Sequence, residues 1–147
     1  GIPDSILKKP GSFMPDERAT MNQHAAMGAD ILGKSRIPLF QLAAELALSH
    51  HEKWDGTGYP SALAGDTIPM SGRIVAVVDF FDALTMDRVY RKAFSYETAL
   101  GMLLEQRGRS FDPQIVDVFM AHAGALIALR DRINQSRPTF TDLVEGI

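Results

Sequence analysis

Residues 55–69 limit the fold of this 147-residue chain more than any other stretch. Their glycines and prolines are Gly56, Gly58, Pro60, Gly65 and Pro69. So many turn-forming residues predict a loop rather than a helix or a strand. Two adjacent histidines, His50 and His51, stand shortly before this loop and suggest metal binding. Because successive helical residues point about 100° apart, the two side chains are expected to serve two different ions, which predicts a multinuclear site.

Apolar residues at helical spacing flank the loop on both sides. A first helix is predicted to begin at Pro15 and to end at Gly33, since proline suits the first helical position and glycine suits the end. A second helix should run up to His50, because its apolar residues make one face. Those residues are Leu39, Leu42, Ala43, Leu46 and Ala47.

The second half of the chain predicts three more helices. Residues 74–78 alone fit a buried strand or a buried helix, but residues 79–84 favour a helix. Ser95 is a suitable N-cap for the next helix, which Gly108 should stop. Asp112 caps a last helix that should extend to about Asn134. The sequence therefore predicts an all-α domain over residues 1–134, of about five principal helices with no sheet, followed by a tail over residues 135–147.

Composition excludes several classes of function. A formal net charge of -3 and a pI near 5.8 give no bulk attraction for a nucleic acid polymer. The chain has no cysteine, so metal ligands must come from histidines and carboxylates. Its apolar runs are far shorter than the about 20 residues that cross a bilayer, so we expect no membrane span.

The run from His50 to Pro60, HHEKWDGTGYP, is one of several blocks that together closely resemble the HD-GYP domain family. The other blocks are Ile68-Pro69-Met70, Arg73-Ile74, Asp79-Phe80-Phe81-Asp82-Ala83-Leu84-Thr85, Gly1-Ile2-Pro3-Asp4-Ser5-Ile6-Leu7, Lys9-Pro10-Gly11 and Phe111-Asp112-Pro113. The resemblance covers about residues 1–120 and implies an HD-type helical fold. It also implies a bacterial, metal-dependent phosphodiesterase that hydrolyses cyclic di-GMP in the cytoplasm, often as the output module of a response regulator.

The resemblance assigns four metal ligands: His24, His50, His51 and Asp79. It implies two or more divalent transition-metal ions, with Fe or Mn favoured, and imidazole and carboxylate ligands also suit Zn, Co or Ni. Without the family blocks, His24 would be read as a histidine satisfied by a backbone carbonyl. The adjacent pair would be read equally well as a polar helix end. Asp82, three residues after Asp79, is predicted to orient a ligand or, alternatively, to cap a helix.

Substrate contacts are implied at two places. Arg88 and Arg91 fall where the family grips the scissile phosphodiester, although basic residues near a helix end are more often a solvated cluster. Tyr59, with Gly58 and Pro60, is predicted to contact a guanine base or a docking partner, the alternative being an ordinary turn. Trp54 is expected to fill the core.

The His-Asp pair that names the family lies just upstream of the segment that matches Gly1-Ile2-Pro3-Asp4. We therefore expect an N-terminally truncated domain with an incomplete metal site, inactive as given although the intact parent is an enzyme. The alternative is a catalytically incompetent docking or sensory module that uses the Gly-Tyr-Pro loop to bind a signalling protein. A hydrolase of another nucleotide ranks third, and a homodimer is a further expectation.

Overall fold

A computed structural model describes residues 1–87 and 92–135 of the chain. Within these ranges it contains seven α-helices and one short 3₁₀ segment, Gly65–Thr67, and no strand. The helices are α1 Asp4–Leu7, α2 Pro15–Gly33, α3 Pro38–Ser49, α4 Met70–Thr85, α5 Tyr96–Glu105, α6 Pro113–Ala121 and α7 Ala123–Gln135. The all-α prediction is confirmed for the described residues.

Most helix boundaries follow local sequence signals. Helix α2 begins at Pro15 and ends at Gly33 as predicted, and the Glu17 carboxylate accepts a hydrogen bond from the backbone N–H of Met14 at 2.7 Å. Helix α5 is capped by Ser95, whose Oγ accepts from the N–H of Thr98 at 3.1 Å. Side-chain oxygens of this kind satisfy N–H groups that have no partner inside the helix.

The last predicted helix is wrong in one respect: it is divided into α6 and α7 at His122. The N–H of His122 lies 3.2 Å from the carbonyls of both Val118 and Phe119. A shared donor of this kind tightens the turn and interrupts the regular hydrogen-bond ladder. No proline or glycine marks the division before Gly124, which is why spacing alone did not predict it.

The chain divides into two compact units, Gly1–Val116 and Asp117–Ile147. In the first unit the contacts run from α1 to α2, α2 to α3, α3 to α4 and α4 to α5. Its core is formed by buried apolar residues of several helices and of the loops between them. They include Ala25, Ile68, Val77, Phe81, Ala99, Leu103, Phe111 and Val116. The predicted domain limit at residue 134 stays a prediction, and residues 136–147 of the predicted tail lie outside the described residues.

Two close helix approaches position the residues around the histidines. A Cβ on Gly28 of α2 would lie 3.3 Å from the Cβ of Ala47 on α3, so these helices touch one turn away from His24 and His51. A Cβ on Gly72 of α4 would lie only 2.3 Å from the Oγ of Ser49 at the end of α3. The absence of a side chain at Gly72 therefore lets α4 lie directly against the end of α3.

None of the helices in residues 1–87 and 92–135 combines the length and the apolar character needed to cross a bilayer.

Candidate metal centre

Three imidazoles meet where the middle of α2 faces the end of α3. His24 lies on α2, His50 follows the last residue of α3, and His51 comes next in the chain. One ring nitrogen from each of the three lies within 4.8 Å of those of the other two. All three residues are partly buried. Residues 27 positions apart in sequence thus form one cluster, which we call the histidine triad.

Backbone carbonyls fix which nitrogen two of these rings expose. The Nδ1 of His24 lies 2.7 Å from the carbonyl of Met21. The Nδ1 of His50 lies 3.0 Å from the carbonyls of both Leu46 and Ala47. A carbonyl only accepts hydrogen bonds, so each Nδ1 carries the proton and each Nε2 keeps its lone pair, which at His24 lies at hydrogen-bond distance from the Nε2 of His51. This is the tautomer in which a histidine binds metal through Nε2.

The spacing of the triad suits a shared ion. The Nε2 atoms of His24 and His51 lie 3.1 Å apart. Two nitrogens bound to one ion at about 2.0–2.1 Å, with an angle of roughly 90–109° between them, lie about 2.8–3.4 Å apart. The triad therefore fits a divalent transition metal in both its donor atoms and its spacing.

The triad also keeps one of its rings neutral. Burial is the largest cause of a lowered pKa at His51, and together with the neighbouring His50 and His24 it brings the pKa from 6.5 to about 4. A histidine must be unprotonated to bind a metal. His51 is therefore ready for a ligand role throughout the neutral range.

The expectation that His50 and His51 point apart is wrong. The backbone at His50 stays close to helical, with φ −68° and ψ −12°, but rotation about the side-chain bonds turns the two rings toward one another. The two ring centroids lie 3.9 Å apart, with 39° between the ring planes. The pair therefore faces one space, and the number of ions stays a prediction.

Asp79 lies near this cluster but is not a member of it. Its exposed side chain lines a cleft of about 360 Å³ together with His50 and His51. Asp79 is seven residues after Gly72, and residues seven apart share a helix face. The close approach at Gly72 thus brings the Asp79 face of α4 toward the histidines. The role of Asp79 as a ligand stays a prediction.

The Gly-Tyr-Pro loop packs on the triad. The Tyr59 ring stacks on the ring of His51, with centroids 4.8 Å apart and 28° between the planes, and the N–H of Tyr59 donates to the carbonyl of His51 at 3.2 Å. A Cβ on Gly58 would lie 2.3 Å from the backbone nitrogen of Lys53, so only glycine fits there. Pro60 is exposed. Tyr59 and Gly58 therefore shape the metal centre as well as the loop.

Glu52 holds the loop in place, a role that sequence analysis missed. Its side chain is buried, and its two oxygens accept hydrogen bonds from the N–H groups of Ser61 at 2.7 Å and Leu63 at 3.0 Å. A charge buried in this way needs such partners. The signal in the sequence was a carboxylate directly after two histidines and before a loop rich in glycine.

A buried ion pair supports the same loop from α4. Arg73 donates to Asp112 at 2.8 Å, and the side chains are 11% and 2% exposed. Arg73 also pairs with Asp66 at 2.9 Å, and its guanidinium carbon lies 5.7 Å from the centre of the Trp54 ring. Trp54 is half-buried in this position, so it packs beside Arg73 at the edge of the core rather than filling the core as predicted.

Comparison with known protein families identifies the family of this chain. A family model described as "HD domain" matches residues 1–115. The chain belongs to the HD domain family. This match confirms the resemblance recognised in the sequence blocks.

Characterised relatives of this HD domain are phosphodiesterases by name. The chain is 47% identical over 129 residues to the "3'3'-cGAMP-specific phosphodiesterase 2" of Vibrio cholerae, which covers 88% of this chain and 25% of the relative. It is 47% identical over 119 residues to the "Cyclic di-GMP phosphodiesterase response regulator RpfG" of Xanthomonas campestris, covering 81% of this chain and 32% of that protein. The chain thus spans about a quarter to a third of these relatives.

A solved structure shares the fold of the HD domain. It is the crystal structure of a cyclic GMP-AMP specific phosphodiesterase of V. cholerae, with a TM-score of 0.62 and 28% sequence identity. The alignment covers 82% of this chain and 26% of that chain. The helical arrangement described above is therefore that of an HD domain.

The roles of three further predicted site residues, Arg88, Arg91 and Asp82, stay predictions. Arg88 and Arg91 lie outside the described residues. Asp82 is half-buried on α4, and its backbone carbonyl lies 3.4 Å from the Oγ1 of Thr85. Its proposed role beside a metal ligand stays a prediction.

Proposed function

We propose that this HD domain is part of a bacterial metal-dependent phosphodiesterase that hydrolyses cyclic di-GMP. The observation that supports this most is the triad, in which backbone carbonyls hold two rings with Nε2 available and the third ring is kept neutral. Such an arrangement is suited to metal binding and has little value as packing alone. The names of the relatives supply the reaction class and the kind of substrate.

The proposed cofactor is two or more divalent ions, Fe or Mn, held by His24, His50, His51 and Asp79. Bound divalent ions lower the pKa of water and polarise a phosphodiester, which is the chemistry that the hydrolysis needs. The imidazoles and the Asp79 carboxylate would bind these ions and hold them in position. Asp82 is proposed to orient one of these ligands from the same face of α4.

The remaining site residues are proposed to hold the substrate. Arg88 and Arg91 would bind the phosphodiester, because a guanidinium offers a planar pair of donors that matches phosphate oxygens. The loop around Gly58, Tyr59 and Pro60 would contact the nucleotide next to the triad. Its stacking on His51 supports this, because any group bound at the triad lies beside the Tyr59 ring.

The experiment uses a longer protein in which this sequence is extended upstream through a His-Asp pair, assayed with Mn²⁺ or Fe²⁺ against cyclic di-GMP and 3'3'-cGAMP. We expect linear dinucleotide or GMP as product. Replacing His50 and His51 by alanine should abolish turnover, whereas Arg88→Ala should mainly raise KM. The matched control is His122→Ala, because His122 is exposed and lies outside the triad.

Each result has a distinct meaning. Hydrolysis that survives loss of both His50 and His51 would contradict the proposal. Metal binding without hydrolysis of either dinucleotide would favour a docking or sensory module that uses the Gly-Tyr-Pro loop for a signalling partner. Faster turnover of 3'3'-cGAMP would keep the reaction class and change the substrate. A homodimer and a cytoplasmic location stay predictions.

The 147-residue chain by itself is proposed to bind metal weakly and to show little or no hydrolysis of cyclic di-GMP. Four ligand side chains divided between two ions leave each ion with fewer protein ligands than metal sites usually have. Matched assays of the short chain and of the longer protein in the same metal test this. Equal turnover would mean that the four residues are sufficient.

A further inference from the structure

The cleft beside the triad is larger than the metal centre needs. Its volume is about 360 Å³, and only His50, His51 and Asp79 of its lining belong to the proposed metal centre. The rest of the lining comes from α4, from Glu52 and Lys53 after the triad and from the segment before α6, and it combines apolar side chains with three polar ones. A site of this size lies at the lower end of the roughly 300–1,000 Å³ typical of small-molecule sites.

The shape of the cleft follows from the sequence of α4. Ala76, Asp79, Phe80 and Ala83 line it, and residues spaced by three, four and seven share a helix face. The small side chains of Ala76 and Ala83 leave open space on either side of Phe80. The carboxylate of Asp79 gives this face a polar end next to the histidines.

The ring of Phe80 packs against a second aromatic ring. Its ring centre lies 5.0 Å from that of Phe111, with 57° between the ring planes. Phe111 is itself buried, whereas Phe80 is half-buried and lines the cleft. An aromatic ring fixed by a second ring and open to a cleft offers a stacking surface for a nucleic acid base.

The rim of the cleft carries a cation. Lys53 is exposed and lines the cleft two residues after His51. An ammonium group at this position would attract the phosphate of a bound nucleotide. The cleft thus combines an aromatic platform with a basic rim and adjoins a metal centre.

We propose that this cleft is a subsite for one nucleotide of the substrate, with a purine base stacked on Phe80 and a phosphate near Lys53. This subsite rests on the proposed function and deepens it. The volume of the cleft is suited to one nucleotide, so the second nucleotide of a cyclic dinucleotide would lie outside the cleft. Phe80 would then determine base preference, since a purine covers more of an aromatic ring than a pyrimidine does.

Calorimetric titration of the 147-residue chain in the presence of Mn²⁺ tests this proposal. The chain is titrated with GMP, with uridine 5′-monophosphate and with inorganic phosphate. We expect GMP to bind more tightly than the pyrimidine nucleotide. Phe80→Ala should weaken GMP binding roughly 5- to 100-fold, the range for loss of one stacked base. Inorganic phosphate should bind equally to both proteins.

Two further variants separate stacking from a fold defect. Phe80→Tyr keeps an aromatic ring and should restore GMP binding, whereas Phe80→Leu keeps bulk without the flat surface and should not. Phe94→Ala serves as a matched control, because Phe94 is partly exposed and does not line the cleft. Equal GMP affinity in the wild type and in Phe80→Ala overturns the proposal. Equal loss of GMP and phosphate binding also overturns it, because the effect would then lie at the metal centre.

The failure of this inference can be told apart from failure of the proposed function. In the longer protein, Phe80→Ala should raise KM for the dinucleotide more than it lowers kcat. If Phe80→Ala hydrolysed the dinucleotide with an unchanged KM, the subsite proposal would be wrong and the phosphodiesterase proposal would stand. If GMP binding depended on Phe80 but the protein hydrolysed no cyclic dinucleotide, the subsite proposal would stand and the proposed reaction would be wrong.

Discussion

Adding one methyl group at Gly72 should separate α3 from α4. The new Cβ would lie 2.3 Å from the Oγ of Ser49, 2.8 Å from its Cβ and 3.2 Å from its carbonyl carbon. Carbon atoms in contact prefer about 3.5–4.0 Å, so the helices must move apart by roughly 1 Å. Ser49 cannot easily turn away, because its hydroxyl donates to the carbonyl of Glu45 at 2.6 Å.

The magnitude follows from two opposing effects. Glycine to alanine inside a helix normally stabilises a protein by about 0.5–1 kcal/mol. Overpacking of a buried contact costs about 1–3 kcal/mol. We therefore expect Gly72→Ala to lower the free energy of unfolding by about 0.5–2 kcal/mol. The control is Gly101→Ala on α5, where a Cβ meets no atom within 4 Å, and it should raise stability by about 0.5–1 kcal/mol.

Urea unfolding followed by far-ultraviolet circular dichroism measures both variants. The double variant Ser49→Ala with Gly72→Ala should recover part of the loss, because it removes the atom nearest to the added methyl. Mn²⁺ affinity should fall in Gly72→Ala and stay constant in Gly101→Ala, since Asp79 shares its helix face with Gly72. If Gly72→Ala were as stable as Gly101→Ala, the close approach of the two helices would be refuted.

Three further predictions concern the triad, the loop and the first turn of α2. In the metal-free chain, stability should fall as the pH drops from 6.5 to about 4, because the unfolded His51 takes up a proton that the folded ring, with its lowered pKa, does not. The loss of stability should be about 1–2 kcal/mol after allowance for the exposed part of the ring. Urea unfolding between pH 4 and 8 measures this loss. If His51→Asn left the pH profile of stability unchanged, the prediction would be contradicted. Glu52→Gln should destabilise by about 1–3 kcal/mol, because the amide nitrogen would face a backbone N–H. Faster hydrogen exchange at Ser61 and Leu63 should accompany it, while the exposed Glu105→Gln should change neither. The pKa of Glu17 is lowered by hydrogen bonds from Lys9 and from the N–H of Met14. The stability that this carboxylate contributes should therefore be present at neutral pH and be lost as acid protonates it. Lys9→Met should raise the pKa of Glu17 in a titration followed by NMR.

Helix boundaries were predictable from the sequence where a proline or a capping side chain marks them. Pro15 and Ser95 begin helices in this way, because their effects act within one turn of the chain. The division at His122 has no such local mark. It depends on how one backbone N–H is shared between two carbonyls, which helical spacing does not record.

The candidate site was predictable in its residue types but not in its geometry. The family blocks named the three histidines, and the structure brings them together. The sequence could not indicate that His50 and His51 face one space, because that depends on the side-chain rotamers that the surrounding packing selects. Glu52 was missed for a similar reason: its hydrogen bonds reach residues 61 and 63, and their geometry is set by tertiary structure. The roles of Arg88 and Arg91 stay predictions, since they lie outside the described residues.

The order in which the chain is synthesised bears on the loop that packs on His51. The N–H groups of Trp54 and Asp55 donate to the carbonyls of Ser110 and Arg109, at 3.1 Å and 2.9 Å. These contacts join positions more than fifty residues apart, so the loop cannot reach its final conformation on the ribosome until residue 110 has emerged. Long-range contacts of this kind form late and slow the folding of a helical domain. The metal centre should therefore mature after the helices that carry its ligands, and a nascent chain stopped before residue 109 should hold the histidines without the packed loop.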